Sequence, residues 1–172
     1  MLPRLILATG LLLALPAFAG TPIDETRPLA PDGRVSIDNL KGEIIVSTWD
    51  RPEVHVTGSL GEGVEKFSVT GGATSLAIEV KYPSGGGGWF GFGGGDKSEP
   101  SRIEVRMPAG ASLDVDAVSA RVEISGLDGG ALTVDNVSGA IRVRDSRVTE
   151  ARFDNVSGDI DAELDSADIA ID

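Results

Sequence analysis

The chain has 172 residues, 41% hydrophobic and only 5% aromatic, with 23 glycines, a mix that suits one packed domain of short strands and tight turns and excludes wholesale disorder. It has no cysteine and a single histidine, His55, which excludes disulfides, thiolate metal sites, cysteine nucleophiles and histidine-rich zinc centres. A net charge of −12 opposes binding to nucleic-acid phosphates.

The chain opens as an address. One positive charge precedes Leu5–Leu15, an unbroken run of apolar and small residues, and Pro16-Ala17-Phe18-Ala19 then offers small residues at the −3 and −1 positions of a cleavage site. That order is the layout of a secretory signal peptide over residues 1–19, cut before Gly20. The run is too short to cross a bilayer, which takes about 20 residues. No cysteine follows it, so a lipoprotein anchor is excluded. The expectation is a periplasmic or secreted protein with no transmembrane segment after cleavage.

Residues 20–32 hold Pro22, Pro28 and Pro31 with little hydrophobic period and read as an extended tether. From Gly33 the pattern alternates. Val35/Ile37, Ile44/Val46, Val54/Val56, Phe67/Val69, Leu76/Ile78/Val80 and Ile103/Val105/Met107 are period-2 sets, each a strand with one face in a core. Residues 33–83 form an N-terminal β-strand region. Residues 84–100 are a Gly/aromatic loop, read as a long flexible connection. The sharper reading of that loop makes Trp89, Phe90 and Phe92 a partner-binding or membrane-surface contact. Residues 101–172 are the repeat region.

The repeat carries the most information. Asp116-Ala117-Val118-Ser119-Ala120, Asp135-Asn136-Val137-Ser138-Gly139 and Asp154-Asn155-Val156-Ser157-Gly158 recur every 19 residues, with an upstream copy in Asp38-Asn39-Leu40-Lys41-Gly42. Apolar positions around the copies share one spacing: Val35, Ile37, Leu40, Ile44, Val46; Leu113, Val115, Val118, Val122, Ile124; Leu132, Val134, Val137, Ile141, Val143; Ala151, Phe153, Val156, Ile160, Ala162. A fixed short period of this kind predicts an all-β, right-handed parallel β-solenoid of ~19-residue coils, preceded by the N-terminal strand region. In that reading every member of each set, Val118, Val137 and Val156 included, turns inward and stacks into a continuous interior. Ile169/Ile171/Asp172 reads as the start of a further corner, with the expectation that the natural chain continues beyond Asp172.

Stacking in register predicts outer charge columns. Glu123, Arg142 and Asp161 alternate in sign, and Arg144 falls over Glu163; such cross-strand neighbours contribute about 0.2–1 kcal/mol each. Asp116, Asp135 and Asp154 instead stack like on like, at a cost of about 1 kcal/mol per neighbouring pair in water. The favoured reading is that each carboxylate caps its own corner by accepting from Ser and Gly N–H groups. The alternative is a calcium ladder over the same three residues, although the Gly-Gly-x-Gly-x-Asp pattern of calcium-binding β-rolls is lacking. No cofactor is expected. Trp49 reads as a packing plug, Asp50-Arg51-Pro52-Glu53 as a charged turn and His55 as a surface histidine. No Gly-x-Ser-x-Gly elbow accompanies the serines.

The stretch Val35-Ser-Ile-Asp-Asn-Leu-Lys-Gly-Glu-Ile-Ile-Val46, running into Trp49-Asp50-Arg51-Pro52-Glu53-Val54-His55-Val56, resembles the opening of the bacterial putative-adhesin family, an exported β-strand-repeat domain of unknown function. The later Val-Ser-Gly copies are similar to its repeats, and the resemblance covers residues 33–172. It implies an exported β-solenoid and carries over no catalytic residue. The functional expectation is a non-catalytic envelope protein, adhesin-like or scaffolding, that binds a protein, a polysaccharide or itself. The alternatives are a carbohydrate-active β-helix enzyme, which needs paired carboxylates in a cleft, and a peripheral membrane-surface protein held by the 84–98 aromatics.

Overall fold

The structure, a computed structural model, describes residues 20–83 and 98–172. In chain order the strands are β1 (Thr21–Pro28), β2 (Arg34–Trp49), β3 (Glu53–Leu60), β4 (Lys66–Gly72), β5 (Ser75–Lys81) and β6 (Ser101–Pro108), then β7 (Ser112–Ser125), β8 (Ala131–Ser138), β9 (Ile141–Val148), β10 (Glu150–Ser157), β11 (Ile160–Ser166) and β12 (Ile169–Ile171). No helix occurs among the described residues. The fold is all-β, and the twelve strands join into one mixed sheet.

Two long strands organise it. β2 and β7 run side by side in parallel from Arg34↔Ser112 to Val46↔Ile124. Their first halves continue into β5 on one side and into β8, β10 and β12 on the other. Their second halves continue into β6 on one side and into β9 and β11 on the other. Each long strand therefore serves two limbs. Both limbs send alternate side chains into one core, where Val35, Ile37, Ile44, Val46, Leu113, Val115, Val122 and Ile124 are buried. The β-branched residues at these positions suit a pleated surface covered on one face.

The predicted repeat spacing reappears as pairing register. Leu113 lies opposite Leu132, and Leu132 opposite Ala151; Val115, Val134 and Phe153 follow, as do Val122, Ile141 and Ile160. Each step is parallel and 19 residues long. The last step shortens, since Ala151 pairs Ile169 and Phe153 pairs Ile171.

The structure departs from the sequence reading in four respects. The pairing is not uniformly parallel: β1 with β3, β3 with β6 and β4 with β5 run antiparallel. The turn Ala73-Thr74 between β4 and β5 explains the last case, because so short a connection reverses the chain and leaves no room for a crossover. Residues 21–28, expected as part of a tether, form β1 and pair with β3 along their whole length; backbone pairing needs no hydrophobic period, and the buried Leu29 anchors the end of the strand. Burial fades at the far end, where Ile160 is half-buried and Ala162 exposed, because β11 pairs with β9 alone and no strand among the described residues covers its other side.

The fourth departure matters most. Alternation runs on past Ile37 into the corner and changes phase only beyond Leu40, so that Ile44 and Val46 turn inward again. After Ile37 the next inward residue is Asn39, so Leu40 faces out. Two-residue periodicity places it there, because a step of three lands on the opposite face until the phase changes. The change comes only after this position, with Ala120 on β7 and Ile44 on β2 buried again. Val118, Val137 and Val156 are accordingly outside, not in the spine. The inner corner is filled by Asn39, Ala117, Asn136 and Asn155. The amides of Asn39, Asn136 and Asn155 donate to Lys41 O, Ala120 O and Gly139 O at 3.1, 3.1 and 3.3 Å. The Tyr82 hydroxyl closes the first of these corners, 3.2 Å from Asn39 Oδ1 and 2.8 Å from Ser101 Oγ.

Candidate binding surface

The outward side of these corners is a two-column stripe. One column is acidic. Glu79 pairs in register with Asp38, Asp38 with Asp116, Asp116 with Asp135, and Asp135 with Asp154. Two positions further along each of the last four rungs stands an apolar side chain: Leu40, Val118, Val137 and Val156, exposed at 37%, 44%, 47% and 77%. These four are most of the large hydrophobics exposed among the described residues, the others being Ile169 and Ile171. Together with the four aspartates they line one shallow groove of 400 Å³.

The electrostatics of the four aspartates are uncompensated, whereas Glu79 at the edge of the column pairs with Lys81 at 3.2 Å. Neighbouring rungs are about 4.8 Å apart, so each adjacent carboxylate pair repels by about 1 kcal/mol in water. Burial pushes the Asp116 carboxyl above its ordinary value, and the charges of Asp135, Asp38 and Asp114 push it further the same way. The expected corner caps are absent. Among the described residues the carboxylates of Asp38, Asp116, Asp135 and Asp154 accept no hydrogen bond and no ion pair, and the corner-closing bonds come from Asn39, Asn136 and Asn155, one position after three of them. For the calcium-ladder reading, the relevant geometry is one carboxylate per rung; among the described residues no group of three His, Cys, Asp or Glu side chains converges on a point where one ion could sit.

The other limb shows the contrast. Arg142 bridges Glu123 at 3.4 Å and Asp161 at 3.7 Å, and Arg144 reaches Asp161 Oδ1 at 3.0 Å and Glu163 at 3.6 Å. These are the alternating columns read from the sequence. The Arg144 hydrogen bond holds the Asp161 carboxyl below its ordinary value.

Opposite pH behaviour follows for the two limbs. The raised Asp116 carboxyl binds its proton more tightly in the folded chain than in the unfolded one, so its contribution to stability grows as pH falls through its raised value. The lowered Asp161 contributes above its ordinary value and loses that contribution as pH falls through the folded one. Asp135→Asn removes two like-charge contacts, and urea unfolding at low salt and pH 7 is expected to show a gain of about 1–2 kcal/mol. The gain is expected to shrink in high salt and as pH falls through the raised Asp116 value. An unchanged or lowered stability would contradict the stacked column.

Other predicted positions fall elsewhere. Trp49, expected as a plug, is half-exposed at the end of β2, and its Nε1 donates to Glu53 O at 2.8 Å. His55, expected as a bland surface residue, stacks on Trp49 with ring centroids 6.1 Å apart and lies 2.8 Å from Asp24 on β1. Arg51 sits 5.0 Å from the Trp49 ring centre. This cluster fastens β1 and the Asp50-Arg51-Pro52 turn to β3; it does not touch the stripe. Trp89, Phe90 and Phe92 lie outside the described residues, as do residues 1–19. A wider cleft of 690 Å³ near β9 and β11 is lined by Asp128, Asp145, Ser146, Arg147 and Glu163. There Arg147 meets Asp128 at 3.4 Å, and Ser146 Oγ donates to Arg144 O at 2.8 Å.

No family model matches the chain, and no curated protein matches it. Among solved structures, a putative cell adhesion protein from Clostridium sporogenes is similar over 88% of this chain and 100% of its own, with 8% identity and a TM-score of 0.49. A putative adhesin from Parabacteroides distasonis is similar over 89% of this chain and 78% of its own, with 14% identity and a TM-score of 0.34. A putative lipid binding protein from the same species covers the same shares at 14% identity and a TM-score of 0.31. Identities this low with TM-scores below 0.5 assign neither a family nor a function.

Proposed function

We propose that the chain is a non-catalytic, exported envelope protein, adhesin-like, built as a right-handed parallel β-solenoid of 19-residue coils. Its role is to present the stripe to a protein, a polysaccharide or a further copy of itself. The supporting observation is the alignment of Leu40, Val118, Val137 and Val156 in one exposed column beside unpaired carboxylates. Exposed apolar side chains gathered into one patch mark an interaction surface, whereas scattered ones do not. The solenoid reading is supported by the in-register parallel pairing at steps of 19, and its hand by the crossover rule for parallel strands. Export is supported by the three-part pattern of residues 1–19.

The test is expression of the full chain with its own leader, followed by fractionation. The expected product begins at Gly20 and sediments with envelope fragments. The triple variant Val118→Ser, Val137→Ser, Val156→Ser is expected to fold as before and to lose at least tenfold of that retention. Equal retention of the variant would overturn the reading, and so would release of reducing or unsaturated ends from envelope polysaccharides.

A further inference from the structure

Resting on that reading of the stripe, we infer that its occupant is a cationic amphipathic α-helix of a partner protein, laid along the stack across the rungs. Charge complementarity gives the sign. Five carboxylates stand in one register column, Glu79, Asp38, Asp116, Asp135 and Asp154, and among the described residues none of the four aspartates is neutralised within the chain. Desolvating such a row under a neutral partner would be costly; a row of Lys or Arg side chains relieves the mutual repulsion instead. The apolar column two residues away demands a second, greasy row on the same partner. A purely basic ligand would leave Val118, Val137 and Val156 in water.

Spacing selects the helix. The rungs repeat at about 4.8 Å, so the acidic column spans about 19 Å over its four steps. A helix lying along it presents one side chain per turn in each row, every 5.4 Å or so, and so drifts by about half an ångström per rung. Flexible Lys and Arg stems absorb that drift over four rungs. An extended strand in the same position repeats its same-face side chains at about 6.6–6.8 Å and slips by a whole rung within three steps. About 13 residues of helix cover the column. Residues at i and i+4 then supply the basic row and the neighbouring helical row supplies the apolar one.

The probe is a synthetic 18-residue Leu/Lys peptide with both rows on one helical face, titrated against the purified full chain by fluorescence anisotropy. Its partner probe is a scrambled peptide of the same composition. Saturable binding is expected, at least tenfold tighter than for the scrambled peptide and falling as salt rises. Asp116→Asn/Asp135→Asn/Asp154→Asn and Val118→Ser/Val137→Ser/Val156→Ser are each expected to weaken it at least tenfold, and circular dichroism reports whether each variant stays folded. Equal binding of the scrambled peptide, or equal binding by the variants, would overturn the inference. So would an inert peptide alongside stripe-dependent binding of an envelope oligosaccharide. If the peptide is inert while the valine variant still loses envelope retention, the helix falls and the binding reading stands. If retention is also unchanged, both fall.

Discussion

Phe153→Ala is expected to lower the stability of the protein by about 3–5 kcal/mol, the usual range for removing a buried aromatic ring. Phe153 is fully buried and is the largest of the fully buried side chains among the described residues. It pairs with Val134 on one side and with Ile171 on the other. It therefore closes the inner column where burial is already fading, with Ile160 half-buried and Ala162 exposed beyond the corner. Collapse into the cavity is limited because the rung spacing is held by backbone hydrogen bonds. Urea unfolding monitored by circular dichroism measures the loss, and hydrogen exchange is expected to show β12 released first. A loss below about 1 kcal/mol would mean that the last rungs do not pack on the core as described.

Gly139→Ala is expected to cost about 3 kcal/mol or more. Gly139 has a φ of +127°, a region that an L side chain adopts only under strain of about 1–3 kcal/mol. The new Cβ would also stand 2.2 Å from Ala120 O, a backbone atom that pairs the next rung and cannot step aside. Gly42 and Gly158 repeat the arrangement, with φ of +118° and +134° and backbone oxygens at 2.0 and 2.1 Å. Ala120 occupies the equivalent place on β7 with ordinary φ, which makes it the control: Ala120→Gly is expected to cost only about 0.5–1 kcal/mol. Thermal unfolding of the two variants side by side separates them. Equal losses would show that the corner glycines are not conformationally required.

Much of this architecture was legible in the residues. The 19-residue step predicted which side chains would share a rung, and Leu113, Leu132 and Ala151 do. The signs of Glu123, Arg142 and Asp161 predicted a neutralised outer column. The stripe was missed for a specific reason. A common spacing of 2, 3, 4 and 2 does not give a common direction, because the step of three falls before the phase change at the corner and so lands on the outer face. The signal was present in the asparagines: Asn39, Asn136 and Asn155 each sit two residues after an inward Ile, Val or Phe, and a buried amide can satisfy the backbone carbonyl exposed at a bend. Once they are placed inside, the flanking Asp and Val must face out. The strand β1 was missed because its contacts are with the backbone of β3, and pairing of that kind leaves little trace in side-chain periodicity. His55, stacked on Trp49 and paired with Asp24, joins β3 to the end of β2 and the middle of β1, a juxtaposition that no local pattern encodes.

The claim underlying the stripe is that adjacent rungs hold Val118, Val137 and Val156 side by side on the outside of the sheet. The chain has no cysteine, so cysteines introduced at these positions carry the only nitroxide labels. In frozen solution the doubly labelled Val118→Cys/Val137→Cys and Val137→Cys/Val156→Cys proteins are predicted to give electron paramagnetic resonance spectra strongly broadened by dipolar and exchange coupling, with labels that remain accessible to a water-soluble relaxant. Spectra equal to the sum of the two single labels, or labels shielded from the relaxant, would contradict it.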